Sequence, residues 1–123
     1  MSTLTLNAWG RNHTITLHTN HYAENGNLYV GLICWDEGWP APWSDLTVNL
    51  STPCRENCAF IDTNNNGWEI IAWLIENKLG KLTGRERVSG WCSYPEFEFD
   101  MDEINNYMEE LQCTNAQLVT VGI

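Results

Sequence analysis

The turn Glu24-Asn-Gly-Asn27 lies between two stretches of alternating residues and constrains this chain more than any other local signal. Asn-Gly supplies residues that tolerate positive φ, so the sequence predicts a type I′ turn closing an antiparallel hairpin. Upstream, Ile15, Leu17 and Thr19 alternate with Thr14, Thr16 and His18 in a strand over residues 13–21, and residues 4–8 read as another. Downstream, residues 28–35 read as a strand. Residues 36–43, with Gly38, Pro40 and Pro42, read as a connection. Residues 44–51 form a half-buried strand with Leu46, Val48 and Leu50 on one face, and residues 59–62 a short extra strand.

Asn64-Asn-Asn-Gly67 then marks a change to helix. Over residues 68–79, Trp68, Ile71, Ala72, Ile75 and Leu79 recur at helical spacing, Trp73 and Leu74 broaden the apolar face, and Gly80 falls at the C′ position. A Gly-containing turn over residues 83–87 leads to an extended segment over residues 88–99. Its Trp91, Ser93, Pro95, Phe97 and Phe99 share one face, and Cys92, Tyr94, Glu96, Glu98 and Asp100 the other. Asp100 with Glu103 opens a second helix over residues 101–112, striped by Ile104, Tyr107, Met108 and Leu111. Residues 118–121 give a last strand. The expected fold class is α+β: an antiparallel sheet of about four to six strands with one or two helices packed on a face. A length of 123 residues fits a single domain, 1–123.

The first residues carry neither the charged nor the apolar region of a secretory signal. The longest apolar runs, residues 30–35 and 70–75, fall far short of the ~20 residues of a membrane helix. A cytoplasmic protein with no membrane contact is expected. Of five cysteines, Cys34, Cys92 and Cys113 stand alone in apolar or element-end sequence. Cys54 and Cys58 are four apart, which is not the CxxC of zinc ribbons or redox sites. Free thiols are expected, with a local disulfide or a metal as the alternatives.

Sixteen Asp and Glu stand against six Lys and Arg, a formal charge of −10. Direct nucleic-acid binding is excluded for want of a basic footprint, and a basic protein partner is favoured. Glu96, Glu98, Asp100, Asp102, Glu103, Glu109 and Glu110 crowd together with no Lys or Arg among them. Along a strand, Glu96, Glu98 and Asp100 project about 6.6 Å apart, twice the rise per residue. A DNA strand carries one charge per ~3.4 Å, so this row is half as dense. Glu103, Glu109 and Glu110 on the helix thicken it into a patch able to occupy a nucleic-acid-binding groove. The competing reading is a solvated face that maintains solubility.

Trp35, Trp39 and Trp43, with Asp36 and Glu37 between them, form the second candidate partner surface. A Pro-containing loop does not bury three indoles easily, and Trp is enriched at binding hot spots. The competing reading is that these rings close the open end of a small core. Trp9, Trp68, Trp73 and Trp91 are expected in the core. No metal or cofactor is expected, because His18 lacks the strand parity of His13 and His21 and no calcium loop is present. No P-loop, dinucleotide fingerprint or framed nucleophile occurs, so no catalytic residue is assigned.

An ordered set of segments carries a resemblance. Tyr22-Ala-Glu-Asn-Gly26-Asn-Leu28, Leu46-Thr-Val-Asn-Leu50, Trp73-Leu-Ile-Glu76, Thr83-Gly-Arg85, Ser89-Gly90 and Tyr94-Pro95 span residues 22–100. In order and spacing they resemble an uncharacterised family of small acidic proteins encoded on mobile elements and phages of gut-type Gram-positive bacteria. This chain has Gly38-Trp-Pro-Ala-Pro-Trp43 where that family reads Gly-Glu-Pro-Tyr. The resemblance implies an accessory gene of mobile DNA acting against host defence. The expected function is a non-enzymatic inhibitor of a host-defence nuclease, anti-CRISPR or anti-restriction, acting through an acidic, partly DNA-mimicking surface. The alternative is a binder of a nucleotide signal in an aromatic pocket, with Arg85 and Arg87 as its phosphate contacts.

Overall fold

The computed structural model describes residues 2–108. Within them the hairpin around Gly26 forms between β2 (Arg11–His21) and β3 (Leu28–Cys34), but not through a two-residue turn. Tyr22 N donates to Asn27 O at 2.9 Å and Gly26 N to Tyr22 O at 2.8 Å, so residues 23–26 make a four-residue loop. Gly26, at φ 74°, takes the left-handed position there, and the Asn25 side chain accepts the Asn27 N–H instead of Asn25 adopting positive φ. The type I′ pattern occurs elsewhere: Trp9 (φ 53°) and Gly10 (φ 73°) join β1 (Leu4–Ala8) to β2.

The residues expected to form one strand from 44 to 51 serve two sheets. Trp43 belongs to β4 (Ala41–Asp45), the last strand of a sheet ordered β1-β2-β3-β4. One residue later the chain enters β5 (Thr47–Val48) of a second sheet, ordered β5-β6-β8-β7, with β6 (Cys58–Ile61), β7 (Gly80–Ser89) and β8 (Cys92–Phe99). Leu46 makes the corner: its N–H donates to Val30 O and its carbonyl accepts from Asp62 N, each at 2.9 Å. Its side chain is fully buried. The α+β class is as expected: among the described residues the antiparallel strands divide into two four-stranded sheets, with three short helices.

The helices are shorter than their periodicity suggested. After α1 (Thr63–Asn66), α2 spans Glu69–Glu76 and buries Ile70, Ile71, Trp73 and Leu74. Trp68, Ala72 and Ile75 lie on its outer side, so the expected stripe is rotated. The rotation brings the Trp73 indole N–H to Thr5 O at 2.8 Å, tying α2 to the first sheet. Lys78 (φ 62°), rather than Gly80, takes the left-handed position after the helix, and Gly80 begins β7. Residues 83–87, expected as a turn, are part of that strand; the actual turn is at Gly90-Trp91, because Ser89 pairs with Cys92.

Asp100 caps α3 (Met101–Asn106) by accepting the N–H groups of Asp102 and Glu103. Tyr107 O then accepts from Leu17 N at 2.8 Å, which docks the end of α3 on β2 beyond the reach of β1. One apolar cluster links both sheets to α2 and α3, centred on residues such as Ile15, Leu46, Leu74, Phe97 and Ile104. The expected continuation of the helix to 112, Glu109, Glu110, Cys113 and the strand over 118–121 lie outside the described residues. No helix among the described residues is long and apolar enough to cross a membrane.

Candidate functional site

β1 runs toward the Trp9-Gly10 turn and β3 returns beside β2, so the β1–β2 turn and the β3–β4 connection share one end of the first sheet. Trp9 is 87% exposed there and Trp39 62%. The Trp43 ring, half-buried, lies 5.3 Å from Trp9 and 4.5 Å from the His13 imidazole. Trp35 is half-buried and donates its indole N–H to Thr16 Oγ1 at 2.7 Å. The three tryptophans of the predicted loop therefore divide: Trp43 and Trp35 pack inward, and Trp39 stays exposed. Of the tryptophans expected in the core, Trp73 is buried, whereas Trp9, Trp68 (56%) and Trp91 (104%) are exposed. Trp68 caps a helix, and Trp91 and Trp9 occupy tight turns, where the chain reverses outside the core.

Glu37 is exposed, while Asp36 is also a structural anchor. Continuing the β2–β3 register one step past Trp35 sets Asp36 opposite His13. Its Oδ1 accepts the Thr14 N–H at 2.9 Å, and its Oδ2 lies 2.6 Å from His13 Nδ1. These bonds, the Thr14 N–H foremost, hold the Asp36 carboxyl below its ordinary range. His13 itself is 3% exposed. Behind the Trp9–Trp43 pair lies a cleft of about 630 Å³, lined by residues including Leu6, Asn65, Glu69 and Trp73. That volume is of ligand-pocket size.

The acidic row expected on β8 does not form. Glu96 is fully buried. Three residues of β7, Thr83, Gly84 and Arg85, bulge opposite it, because the register shifts between Leu82, paired with Phe97, and Glu86, paired with Pro95. The bulge turns Thr83 Oγ1 to donate to Glu96 Oε1 at 2.7 Å and places Arg85 Nη1 3.4 Å from Oε2. Arg55 Nη2 approaches Oε1 at 3.8 Å. An acid expected at the surface is thus the buried partner of two arginines. Glu98 is half-buried opposite Lys81, Asp100 is occupied as a helix cap, Asp102 is exposed and Glu103 half-buried.

Cys54 and Cys58 sit beside this carboxylate, and the four described cysteines, Cys34, Cys54, Cys58 and Cys92, carry free thiols. Burial, reinforced by Glu96, pushes the Cys54 thiol up to about 11 and raises that of Cys58. Neither is an activated nucleophile. Arg85 is engaged with Glu96, and Arg87 Nε donates to Thr52 Oγ1 at 2.9 Å, so neither of these bases lines the tryptophan cleft.

Residues 16–117 match the family described as a domain of unknown function, DUF4313. The chain belongs to the DUF4313 family. No curated protein and no solved structure matches it. The DUF4313 span begins inside β2, so Cys34, Asp36, Trp39, Trp43 and Glu96 lie within it, while Trp9 and His13 precede it.

From the sequence, Trp9 is expected in the core, His13 is set aside as a ligand on strand parity and Cys34 reads as a lone buried thiol, so none of the three is expected at a site. The available signal for Trp9 was Trp-Gly between two alternating stretches, a turn dipeptide with an unusual first member. His13 and Cys34 offered none, since their meeting depends on strand register.

Proposed function

We propose that this DUF4313 protein is a non-enzymatic interaction protein of a mobile element or phage. In the cytoplasm of the host it docks a basic surface of a defence nuclease, an RNA-guided effector or a restriction enzyme. The observation that carries this reading is two exposed indoles, Trp9 and Trp39, on the two connections at one end of the first sheet, the second of which also carries the carboxylates of Asp36 and Glu37. Exposed tryptophan rimmed by charge is the composition of a binding hot spot. Trp9 is also held at positive φ, a conformation that a bulky residue adopts at a cost and that clusters at functional positions. The overall charge of −10 adds long-range steering toward a basic partner. Asp102 and Glu103 contribute to that field, whereas buried Glu96 contributes no contact surface.

The test is cleavage of DNA by a purified RNA-guided nuclease and by a restriction endonuclease, with the chain added at low and at high salt. Dose-dependent inhibition that weakens at high salt is expected. It should be lost in the Trp9→Ser/Trp39→Ser variant and reduced in Asp36→Asn/Glu37→Gln. Undiminished inhibition by the double tryptophan variant would remove the aromatic end from the mechanism.

The second reading, a nucleotide-signal binder, draws on the tryptophan-walled cleft of about 630 Å³. Its lining includes Glu69 and, among the described residues, no cation for phosphate, so nucleobase stacking would carry the affinity. Calorimetry with cyclic and linear nucleotides separates the readings, heat of binding favouring the second.

A further inference from the structure

His13 of β2 and, from the end of β3, Cys34 and Asp36 converge at the aromatic end of the first sheet. The ligand atoms of His13, Cys34 and Asp36 all lie within 4.8 Å of one another. Cys34 pairs with Ile15 across β2–β3, which brings its thiol to the face that also carries His13. Asp36, two residues on, completes the group from the exposed side. We infer that His13, Cys34 and Asp36 form a binding site for a borderline divalent transition metal, with Zn²⁺ as the best match to an imidazole, thiolate and carboxylate set. The inference is independent of the docking reading.

The chemistry of the donors selects the metal class. A thiolate disfavours Mg²⁺ and Ca²⁺, which take oxygen ligands, and the N/S/O combination is that of zinc sites with three protein ligands and one open position. Donors around tetrahedral zinc stand roughly 3.3–3.7 Å apart, given bonds of about 2.0–2.3 Å. The present cluster reaches that arrangement by opening the 2.6 Å His13–Asp36 contact and drawing any wider pair in from at most 4.8 Å, a movement of no more than about 1–1.5 Å.

The surroundings also match what metal ligands require. Ala8 O lies 3.2 Å from His13 Nε2, and a carbonyl can only accept, so the Nε2–H donates to it and Nδ1 is the nitrogen turned to Asp36. A ligating histidine ordinarily donates its other N–H to a carbonyl in this way. Asp36 Oδ1 is held by the Thr14 N–H, leaving Oδ2 directed at the site. The Trp43 ring, 4.5 Å from the imidazole, and Trp9 beyond it provide an apolar wall on one side. On binding, the Nδ1–Oδ2 contact and the Cys34–Asp36 hydrogen bond would give way to bonds to the cation.

The test is titration of the reduced full chain with Co²⁺, followed by Zn²⁺ competition. One equivalent of Co²⁺ should produce visible ligand-field bands and a thiolate-to-cobalt charge-transfer band, both abolished by Zn²⁺. Cys34→Ser should lose the charge-transfer band, and Asp36→Asn should weaken affinity by at least about tenfold. A Cys54→Ser/Cys58→Ser variant should keep both signals. Circular dichroism verifies that each variant is folded, and Asp36→Asn, at an exposed position, carries the test should Cys34→Ser fail to fold. The proposal is overturned by the absence of one-equivalent binding, by a charge-transfer band that survives Cys34→Ser, by loss of the signals in the Cys54/Cys58 variant, or by unchanged affinity in Asp36→Asn.

Discussion

The indoles of Trp9 and Trp43 meet with ring centroids 5.3 Å apart, although Trp9 is 87% exposed and its backbone sits at φ 53°. A left-handed backbone costs an ordinary residue roughly 1–2 kcal/mol, and little for Asn at the first position of a type I′ turn. Trp9→Asn is expected to raise stability by about 1 kcal/mol in urea denaturation while removing partner binding. A net loss of stability would show that the ring contact with Trp43 outweighs the strain.

Gly80 joins α2 to the second sheet at φ 152°, and a Cβ there would collide with the backbone oxygen of Glu98. Backbone cannot withdraw as the tip of a side chain can. Gly80→Ala should therefore cost at least about 2 kcal/mol, read as a lowered Tm and urea midpoint. Gly10→Ala meets nothing within 4 Å and carries only the penalty of its φ of 73°, so the smaller loss is expected there.

Asp36 titrates below the ordinary value of 3.8, chiefly through the Thr14 N–H and the His13 hydrogen bond. Between the lowered native value and 3.8 the unfolded chain binds more protons than the native one, so stability rises with pH across that window. The contribution is complete above the ordinary value and vanishes as pH falls through the native one. Asp36→Asn should flatten the acid limb of a plot of urea midpoint against pH; an unchanged slope would show that Asp36 makes no such contribution.

Glu96 is fully buried with a 2.7 Å bond from Thr83 Oγ1. Thr83→Val removes a hydrogen bond to a buried carboxylate and should cost about 1.5 kcal/mol in chemical denaturation. Glu96→Gln should lower stability but leave partner binding intact in the folded protein, since no surface charge is removed. Altered affinity in that variant would place Glu96 at the interface.

Cys54, raised to about 11, should react slowly with a disulfide reagent at pH 8. The thiolate fraction falls roughly a hundredfold below that of an ordinary thiol, and the greater nucleophilicity of a basic thiolate recovers part of it, leaving the rate roughly tenfold slower. Unfolding in denaturant should restore ordinary reactivity.

Much of the scaffold was legible because its signals are local. Alternation placed β2 and β3, Asp100 with Glu103 marked the start of α3, and Phe97 and Phe99 declared the inner face of β8. The errors share a physical origin. Leu46 lies in an unbroken alternating run, yet its two backbone bonds go to different sheets, and periodicity records side-chain alternation rather than hydrogen-bond partners. Glu96 shares parity with residues expected to be solvated, but a bulge in a neighbouring strand and Arg55 enclose it.

The sequence by itself determined the α+β class, the acidic balance and the hairpin about Gly26, since composition, alternation and turn chemistry reside in neighbouring residues. Only the tertiary structure decided which side chains meet. A two-residue turn at Asn25-Gly26 would pair Glu24 with Asn27 and set Ile15 opposite Asp36. The observed loop pairs Tyr22 with Asn27 and brings His13 to Asp36 instead. A shift of two residues preserves which face is apolar and so leaves the alternation unchanged, but it exchanges every cross-strand partner. The chemistry at that end of the sheet follows from the loop hydrogen bonds of Tyr22 and Gly26, which no pattern of hydrophobicity encodes.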